Sequence, residues 1–259
     1  MATDACGNTA TCTQKISIID NIAPTITCPV AVTVTCLENV PVQNINDVTA
    51  SDNCTGTVTK SFVGDVTTNN GCNDYYVTRT YMATDACGNT ATCTQKISII
   101  DNIAPTITCP VAVTVTCSTH VPQPDTTLVT ASDNCLGSVT RSFVSDVKSN
   151  ETCLNRFTIT RTYMATDACG NTATCTQTIT VNDNVPPMIT CPVADTVACL
   201  ADVPVANTDG VLASDNCVGT VTKSFVGDVT TNNGCNDYYV TRTYMATDAC
   251  GKIERGDSI

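Results

Sequence analysis

MATDACGNTATCTQKISIIDNIAPTITCPVAVTVTC, residues 1–36, occurs again without a change as residues 82–117. The methionines that open equivalent segments are Met1, Met82, Met164 and Met245, so the repeat is 81 or 82 residues long. A repeat of this length corresponds to a whole small domain rather than to one turn of a solenoid. The chain is therefore a tandem array of near-identical modules, about three of them in 259 residues.

The apolar residues of the repeat alternate with period two. From Cys28 to Cys36, one face carries two cysteines and the valines Val30, Val32 and Val34, and the other face carries Ala31 and threonines. This alternation is typical of a half-buried β-strand, and we predict one strand over 28–36.

A second alternation runs through residues 157–166, where Phe157, Ile159, Tyr163 and Ala165 face one side and threonines face the other. Arg161 interrupts the apolar face, and Arg79 and Arg242 recur at the same place. We therefore expect a partly buried arginine with a carboxylate partner in each module. Threonine, valine and isoleucine dominate these segments and no segment shows a helical period, which predicts an all-β fold. The expected architecture is a tandem array of immunoglobulin-like antiparallel β-sandwich repeats, stapled by disulfides, with about six or seven short strands in each.

Proline-bearing links separate the modules at residues 20–24 and 101–105 (DNIAP) and at residues 183–187 (DNVPP). They predict complete modules at 22–102 and 103–184. Residues 1–21 are expected to supply only the final strand of a preceding repeat. Residues 185–251 are expected to form a module without its last strand, because the non-repeat tail 252–259 replaces the usual text.

Nineteen cysteines indicate an oxidising compartment, so we expect an extracellular or cell-surface protein. No CxxC pair occurs and His120 is the only histidine, which argues against a thiolate metal site. If the strand order is immunoglobulin-like, the first and last strands lie side by side and the turns gather at the two ends of the module. This geometry predicts the bridges Cys28–Cys93, Cys36–Cys72, Cys54–Cys87, Cys109–Cys175, Cys117–Cys153, Cys135–Cys169, Cys199–Cys235 and Cys217–Cys250. Cys6, Cys12 and Cys191 are left without partners in the chain.

The net charge of −12 comes almost entirely from aspartate. An acidic chain repels phosphate backbones, so nucleic acid is not an expected partner. No apolar run approaches the length of a membrane helix, and no signal peptide opens the sequence. No nucleophile, base and orienting group recur together, so we do not expect an enzyme.

Three acidic motifs recur in every module: the link DN(I/V)xP, the turn ASDNC and the turn TDACG. In an immunoglobulin-like path all three meet at the end of the module that faces its predecessor. Carboxylate and amide oxygens gathered there suit calcium as a cofactor. The alternative is that Asp, Asn and Gly simply form turns. The candidate ligands are Asp20, Asn21, Asp52 and Asp85; Asp101, Asn102, Asp133 and Asp167; and Asp183, Asn184, Asp215 and Asp248.

The text VNDNVPP at residues 181–187 resembles the calcium-binding linker of cadherins, which implies calcium between modules that rigidifies the array. The position of the second acidic ligand is shifted to Asn53, Asn134 or Asn216, and no recurrent glutamate opens the module, which implies fewer and weaker ions.

The whole module is similar to the hyalin-repeat (HYR) family and to related immunoglobulin-like repeats of large secreted Bacteroidetes surface adhesins. The motifs PTITCP, ASDNC, TRTYMATDACG and TATCTQ carry this resemblance, which covers nearly all of the chain except its last eight residues. It implies a secreted surface array with a role in adhesion.

Three hypotheses for the function remain. The first is a structural array in a surface filament or adhesin stalk, whose partners are neighbouring repeats. The second is a cell-adhesion module that binds a surface glycan or protein through the variable loops at 37–39, 118–120 and 200–202. The third is a fibre subunit that polymerises with other copies of itself by strand donation, in which residues 8–19 complete the module at 185 and Cys12 bridges to Cys191.

Overall fold

The structure, a computed structural model, describes residues 1–72, 74–234 and 238–258. It forms two compact units, one of residues 1–103 with 134–136 and the other of residues 104–133 with 137–259. The predicted all-β fold is confirmed: the helical elements among the described residues are 3-10 turns of three residues each. None of them approaches the length and apolar character of a membrane-spanning helix. These turns are Leu37–Asn39, Ile45–Asp47, Ser118–His120, Thr126–Leu128 and Leu200–Asp202.

The first unit contains one complete sandwich after a small exposed hairpin. Its strands are β1 (Ala2–Thr3), β2 (Thr9–Ala10), β3 (Thr25–Thr27), β4 (Val32–Val34), β5 (Thr49–Ser51), β6 (Thr59–Asn69), β7 (Tyr75–Thr84) and β8 (Thr90–Ile99). A four-stranded sheet has the order β4-β8-β7-β6, and β3 pairs with β5 in a two-stranded sheet.

The second unit repeats this plan and adds another module. Its strands are β9 (Thr106–Thr108), β10 (Val113–Val115), β11 (Thr130–Ser132), β12 (Thr140–Cys153), β13 (Arg156–Thr166), β14 (Thr172–Asn182), β15 (Met188–Thr190), β16 (Leu212–Ser214), β17 (Thr222–Asn232), β18 (Tyr238–Thr247) and β19 (Ile253–Ser258). The sheets are β10-β14-β13-β12 with β9-β11, and β17-β18-β19 with β15-β16.

The sandwich core of the first unit lies where the alternating faces meet. Val77, Ile97 and Ile99 are at most 4% exposed, and partly buried valines of the neighbouring segments pack against them. The tyrosine of the central strand adds an edge-to-face contact, as in Phe62 against Tyr81 at 6.1 Å between ring centroids. Period-two burial along β7 thus places one face of the strand in the core.

The expected arginine–carboxylate pairs are present in all three modules. Arg161 donates two hydrogen bonds to Asp146, at 2.9 and 2.8 Å, and a third to the carbonyl of Pro122. Arg79 with Asp65 and Arg242 with Asp228 form the same bidentate contact. In Arg161 all three guanidinium nitrogens donate a hydrogen bond, so this charge is buried with partners on more than one side.

Of the strand predicted over 28–36, only Val32–Val34 is a strand in the structure. The chain forms β3, leaves the sheet after Cys28, and re-enters the other sheet as β4, which runs parallel to β8. Pro29 lies at this break and has no N–H with which to continue a ladder. Val30, predicted on the core face, is therefore 80% exposed, whereas Val32 and Val34 pack on the core. The sandwich also contains one parallel pair where only antiparallel pairs were expected.

Identical sequences adopt different structures in the first unit. Residues 90–99 form β8, whereas the same ten residues at 9–18 are strand only at Thr9 and Ala10. The strand β8 has a neighbour on each side, β7 and β4. Without such neighbours the backbone groups of residues 11–18 gain no ladder, so the expected final strand does not form there.

The module at 185–251 was expected to lack its last strand, and the structure differs. The tail pairs with β18 as β19, from Arg242 opposite Ser258 to Thr247 opposite Ile253. The turn that precedes it is intact, because the Asp248 carboxylate accepts from the backbone N–H groups of Cys250 and Lys252. Once this turn reverses the chain, backbone groups of almost any sequence can join the open edge.

Candidate functional site at the module junctions

Among the disulfides that the structure describes, two lie within single modules. Cys28 is bonded to Cys93, and Cys109 is bonded to Cys175. Each joins the segment just after the first strand to the last strand of the same module, the arrangement that an immunoglobulin-like strand order favours.

The other described bridges join consecutive modules. They are Cys36–Cys135, Cys117–Cys217 and Cys153–Cys250, with sequence separations of 99, 100 and 97 residues. The predicted pairs Cys36–Cys72, Cys117–Cys153, Cys135–Cys169 and Cys217–Cys250 are therefore wrong. The reason is geometric: the ASDNC turns that end in Cys135 and Cys217 meet the segments that follow β4 and β10, not a turn of their own module.

Several cysteines stay as thiols because their equivalents pair across a junction. Cys54 and Cys87, predicted to pair with each other, are both free and exposed. Cys199 is also free, and Cys235, its predicted partner, lies outside the described residues. Cys6, Cys12 and Cys191 are free, and Cys72 and Cys169 are disulfide-bonded.

Within the second unit, Asn155 connects two modules. Its amide oxygen accepts from the N–H and the hydroxyl of Ser118, at 3.0 and 2.8 Å, and its amide nitrogen donates to the carbonyl of Val218 at 2.8 Å. The residue is 1% exposed. A buried amide with its groups satisfied on both sides fixes how these two segments meet. Sequence analysis missed Asn155 because its partners Ser118 and Val218 lie 37 and 63 residues away along the chain.

Three aspartates converge at the same junction. Asp183 is 1% exposed, and its carboxylate, a carboxylate oxygen of Asp215 and the sulfur of Cys217 all lie within 4.8 Å of one another. Burial raises the pKa of Asp183, and the nearby carboxylates of Asp215 and Asp248 raise it further. The three carboxylates therefore concentrate negative charge where little solvent reaches.

Two oxygens of this cluster are buried without a hydrogen-bond partner, Asp215 Oδ1 and Asp248 Oδ2. Asp248 Oδ2 lacks a donor because Lys252 replaces the asparagine whose amide binds the equivalent oxygen in the other modules. No such replacement accounts for Asp215 Oδ1, and Asp52 Oδ1 in the first unit is in the same state. A buried carboxylate oxygen without a donor fits a cation.

The first unit has an equivalent cluster of Asp20, Asp52 and Cys54, with ligand atoms again within 4.8 Å of one another. Asp20 accepts from the N–H of Ile22, and Asp52 Oδ2 accepts from the N–H of Cys54. Here Cys54 is a thiol, and burial together with Asp20 and Asp52 raises its pKa.

Most of the remaining predicted calcium ligands form hydrogen bonds within their own turns or are exposed. Asp85 and Asp167 bind their own turns, since each accepts from two backbone N–H groups and from the amide of Asn89 or Asn171. Burial raises the pKa of both carboxyl groups, but these hydrogen bonds together outweigh it, so each pKa lies below its usual value. Asp101 accepts from the N–H of Ile103, and Asp133 is partly buried. The predicted amide ligands Asn21, Asn102 and Asn184 are exposed.

Residues 105–181 match the family model described as "HYR-like domain with 4 cysteines". The matched segment contains Cys109, Cys117, Cys135, Cys153, Cys169 and Cys175, two more than that description. The match supports an immunoglobulin-like repeat module over this part of the chain. No curated protein matches the sequence.

The chain is also similar to solved cadherin structures, all at low identity. The protocadherin gammaB4 extracellular domain is 16% identical with a TM-score of 0.35, and the match covers 94% of this chain but 50% of that one. Mouse cadherin-23 repeats EC22-24 are 15% identical with a TM-score of 0.36, covering 91% of this chain and 97% of theirs. Drosophila N-cadherin EC1-4 is 13% identical with a TM-score of 0.30, covering 93% and 75%.

Proposed function

We propose that the chain is a structural part of an extracellular surface array, in which disulfides lock each module to the next. The observation that carries this proposal is the pair of bridges Cys117–Cys217 and Cys153–Cys250, which join two consecutive modules at one junction. Two covalent connections in addition to the backbone restrict a hinge far more than a flexible linker does. Persistent disulfides of this number need an oxidising environment, which supports a location outside the cell.

The role is mechanical rather than catalytic. The titratable groups of the junction cluster are aspartates, since its cysteines are bridged, and the HYR-like match points to a family of non-enzymatic repeats. The proposed binding partners of each module are its neighbouring repeats in the array. We expect the chain to be part of a large secreted surface protein.

Removal of one junction bridge tests the mechanical role. The double variant Cys117→Ser, Cys217→Ser should broaden the distribution of interatomic distances in solution scattering, because the junction gains a hinge. The matched control is Cys109→Ser, Cys175→Ser, which removes a bridge inside one module and should lower its melting temperature without loosening the junction. Disulfide mapping by mass spectrometry that finds Cys117 bonded to Cys153 would overturn the proposal.

We further propose calcium at the junction cluster of Asp183, Asp215 and Asp248. Oxygen donors are the ligands calcium prefers, and a doubly charged ion would offset the repulsion between these carboxylates. The support is the buried Asp215 Oδ1, which has no hydrogen-bond partner. Bound calcium would add electrostatic cross-links beside the disulfides and stiffen the junction.

Calcium titration of chelator-treated protein tests this second step. We expect the melting temperature to rise with calcium in the wild type and much less in Asp215→Asn. The control Asp209→Asn changes an exposed aspartate of the same module and should leave the calcium response intact. An identical response of both variants, or no response of the wild type, would show that the cluster aspartates only form turns.

Ligand recognition through the variable loops has less support. The loops are the 3-10 turns that directly follow Cys36, Cys117 and Cys199. In the second unit, Ser118 of one such loop is bonded to Asn155 at the junction. A loop engaged between modules has fewer groups available for an external ligand.

A further inference from the structure

The module after residue 185 contains an open cavity of about 700 Å³. Its lining includes Asp195, Val197, Val203, Tyr238 and Val240. The equivalent residues of the first module are Val32, Val34, Val40, Tyr75 and Val77, and these pack around Ile97 and Ile99. The cavity therefore lies where the two isoleucines of the last strand belong.

The strand β19 does not fill this space. It pairs with β18 only from Arg242 to Thr247, whereas β8 pairs with β7 from Tyr76 to Thr84. Its last described residue, Ser258, stands at the register position of Gln95, two residues before the place of Ile97. Among the described residues of this module, no strand corresponds to β4, which elsewhere pairs beside the isoleucines.

A cysteine position is also unfilled. Tyr81 lies opposite Cys93 in the first module, but the equivalent Tyr244 lies opposite Gly256. A Cβ atom on Gly256 would lie 2.9 Å from the sulfur of Cys191, so the glycine sits where the partner cysteine should be. Cys191 consequently remains a partly buried thiol.

The missing residues exist elsewhere in the chain, in an unpaired state. Residues 9–18 have the same sequence as β8, and beyond Ala10 they form no strand. Ile16 is 78% exposed and Ile18 is 90% exposed, whereas their counterparts Ile97 and Ile99 are 0% and 4% exposed. Cys12, the counterpart of Cys93, is an exposed thiol.

We propose that residues 9–18 of a second copy of this chain displace β19 and complete the module, which makes the protein a head-to-tail fibre subunit. The donated strand pairs with β18 as β8 pairs with β7, so that Ile16 lies opposite Val240 and Cys12 lies opposite Tyr244. Ile16 and Ile18 then enter the cavity, and Cys12 meets Cys191. This inference depends neither on the calcium site nor on the internal junction bridges. Strand donation can therefore be refuted while the proposed function stands, and the reverse is also true.

The docked copies can then form two disulfides between chains. Cys12 bonds to Cys191, as Cys93 bonds to Cys28, and Cys54 bonds to Cys199, as Cys135 bonds to Cys36. Each bond forms when two thiols release two protons and two electrons. Glutathione disulfide accepts them and leaves as two molecules of glutathione. Cys6 has no place in this scheme, because Cys250 already occupies the equivalent position and is bonded to Cys153.

The test oxidises the purified chain with glutathione disulfide and measures its size by light scattering and non-reducing electrophoresis. We expect a ladder of dimers and longer species that reduction collapses, with Cys12–Cys191 and Cys54–Cys199 peptides in mass spectrometry of the dimer band. Cys12→Ser should remove the first cross-link, and Cys6→Ser, its matched control on the same exposed segment, should change nothing. The double variant Ile16→Ala, Ile18→Ala should reduce the cross-linked fraction at least tenfold, although both thiols remain.

A synthetic peptide of residues 8–19 with serine in place of Cys12 gives a readout that needs no disulfide. It should bind the chain and inhibit assembly, whereas a scrambled peptide should do neither. Three results would overturn the proposal: a chain that stays monomeric, cross-links that involve Cys6 as often as Cys12, or a Cys12–Cys191 bond confined to the monomer band.

Discussion

Two isoleucines with identical flanking sequences give a direct test of how environment determines stability. Ile97 is fully buried against Val77 and Ile99, whereas Ile16 is 78% exposed. Ile97→Ala removes apolar surface worth about 2–2.5 kcal/mol of transfer free energy. The unfilled cavity adds a further term, which brings the expected loss of folding free energy to about 3–4 kcal/mol. Ile16→Ala should change the folding free energy by less than about 0.5 kcal/mol.

Scanning calorimetry of the oxidised protein measures this difference. For a module of this size, Ile97→Ala should lower one unfolding transition by more than about 10 °C, and Ile16→Ala should leave the profile unchanged. Both variants are made in a Cys12→Ser, Cys54→Ser background and measured at a protein concentration at which light scattering finds only the monomer, so that association between copies does not protect Ile16. Equal effects of the two substitutions, or a loss below about 1 kcal/mol for Ile97→Ala, would refute the assignment of buried and exposed copies of the same sequence.

Three further predictions concern the sandwich itself. Asp146→Ala leaves Arg161 buried without its carboxylate and should lower the folding free energy by about 2–3 kcal/mol. Asp228→Ala, beside the more exposed Arg242, should lower it by only about 1 kcal/mol. Thermal unfolding of both variants shows whether the first loss is the larger. Arg242 lowers the pKa of Asp228, so this pair stabilises the fold above the unfolded pKa of about 3.9 and the stabilisation is lost as pH falls through the lower folded value. The melting temperatures of the wild type and Asp228→Asn should therefore differ at pH 7 and converge near pH 2–3. Gly170→Ala forces alanine to a φ of +89° and should cost about 1–2 kcal/mol in a urea titration, and a neutral result would contradict the turn geometry.

The strand content and the buried arginine pairs could be predicted because their causes are local. Period-two alternation fixes which side chains share a face, and an arginine on an apolar face requires a carboxylate within reach. Asp146 and Arg161 satisfy this requirement through direct cross-strand pairing. The proline break at Pro29 was also visible in the sequence, but the alternation on both sides of it suggested a continuous strand.

The cysteine pairing across modules could not be predicted from the repeat. The two complete modules contain the same six cysteines, so the sequence allows a bond within a module as readily as a bond to its neighbour. The choice depends on how far the ASDNC turn extends beyond its own module, which is a property of tertiary packing. The identical segments 9–18 and 90–99 show the same dependence, since only the second has strands on both sides.

The junction bridges also determine how the array bears tension. A force applied along the backbone can pass from Cys36 directly to Cys135 and from Cys117 directly to Cys217. Because the two bridged segments overlap, the load runs between Cys135 and Cys117 through the short stretch 118–134 and bypasses residues 37–116 and 136–216. Each bypassed segment would otherwise release about 260–290 Å of extended chain. We therefore expect the oxidised protein to extend little under force, and reduction of the bridges to make it much longer and more compliant.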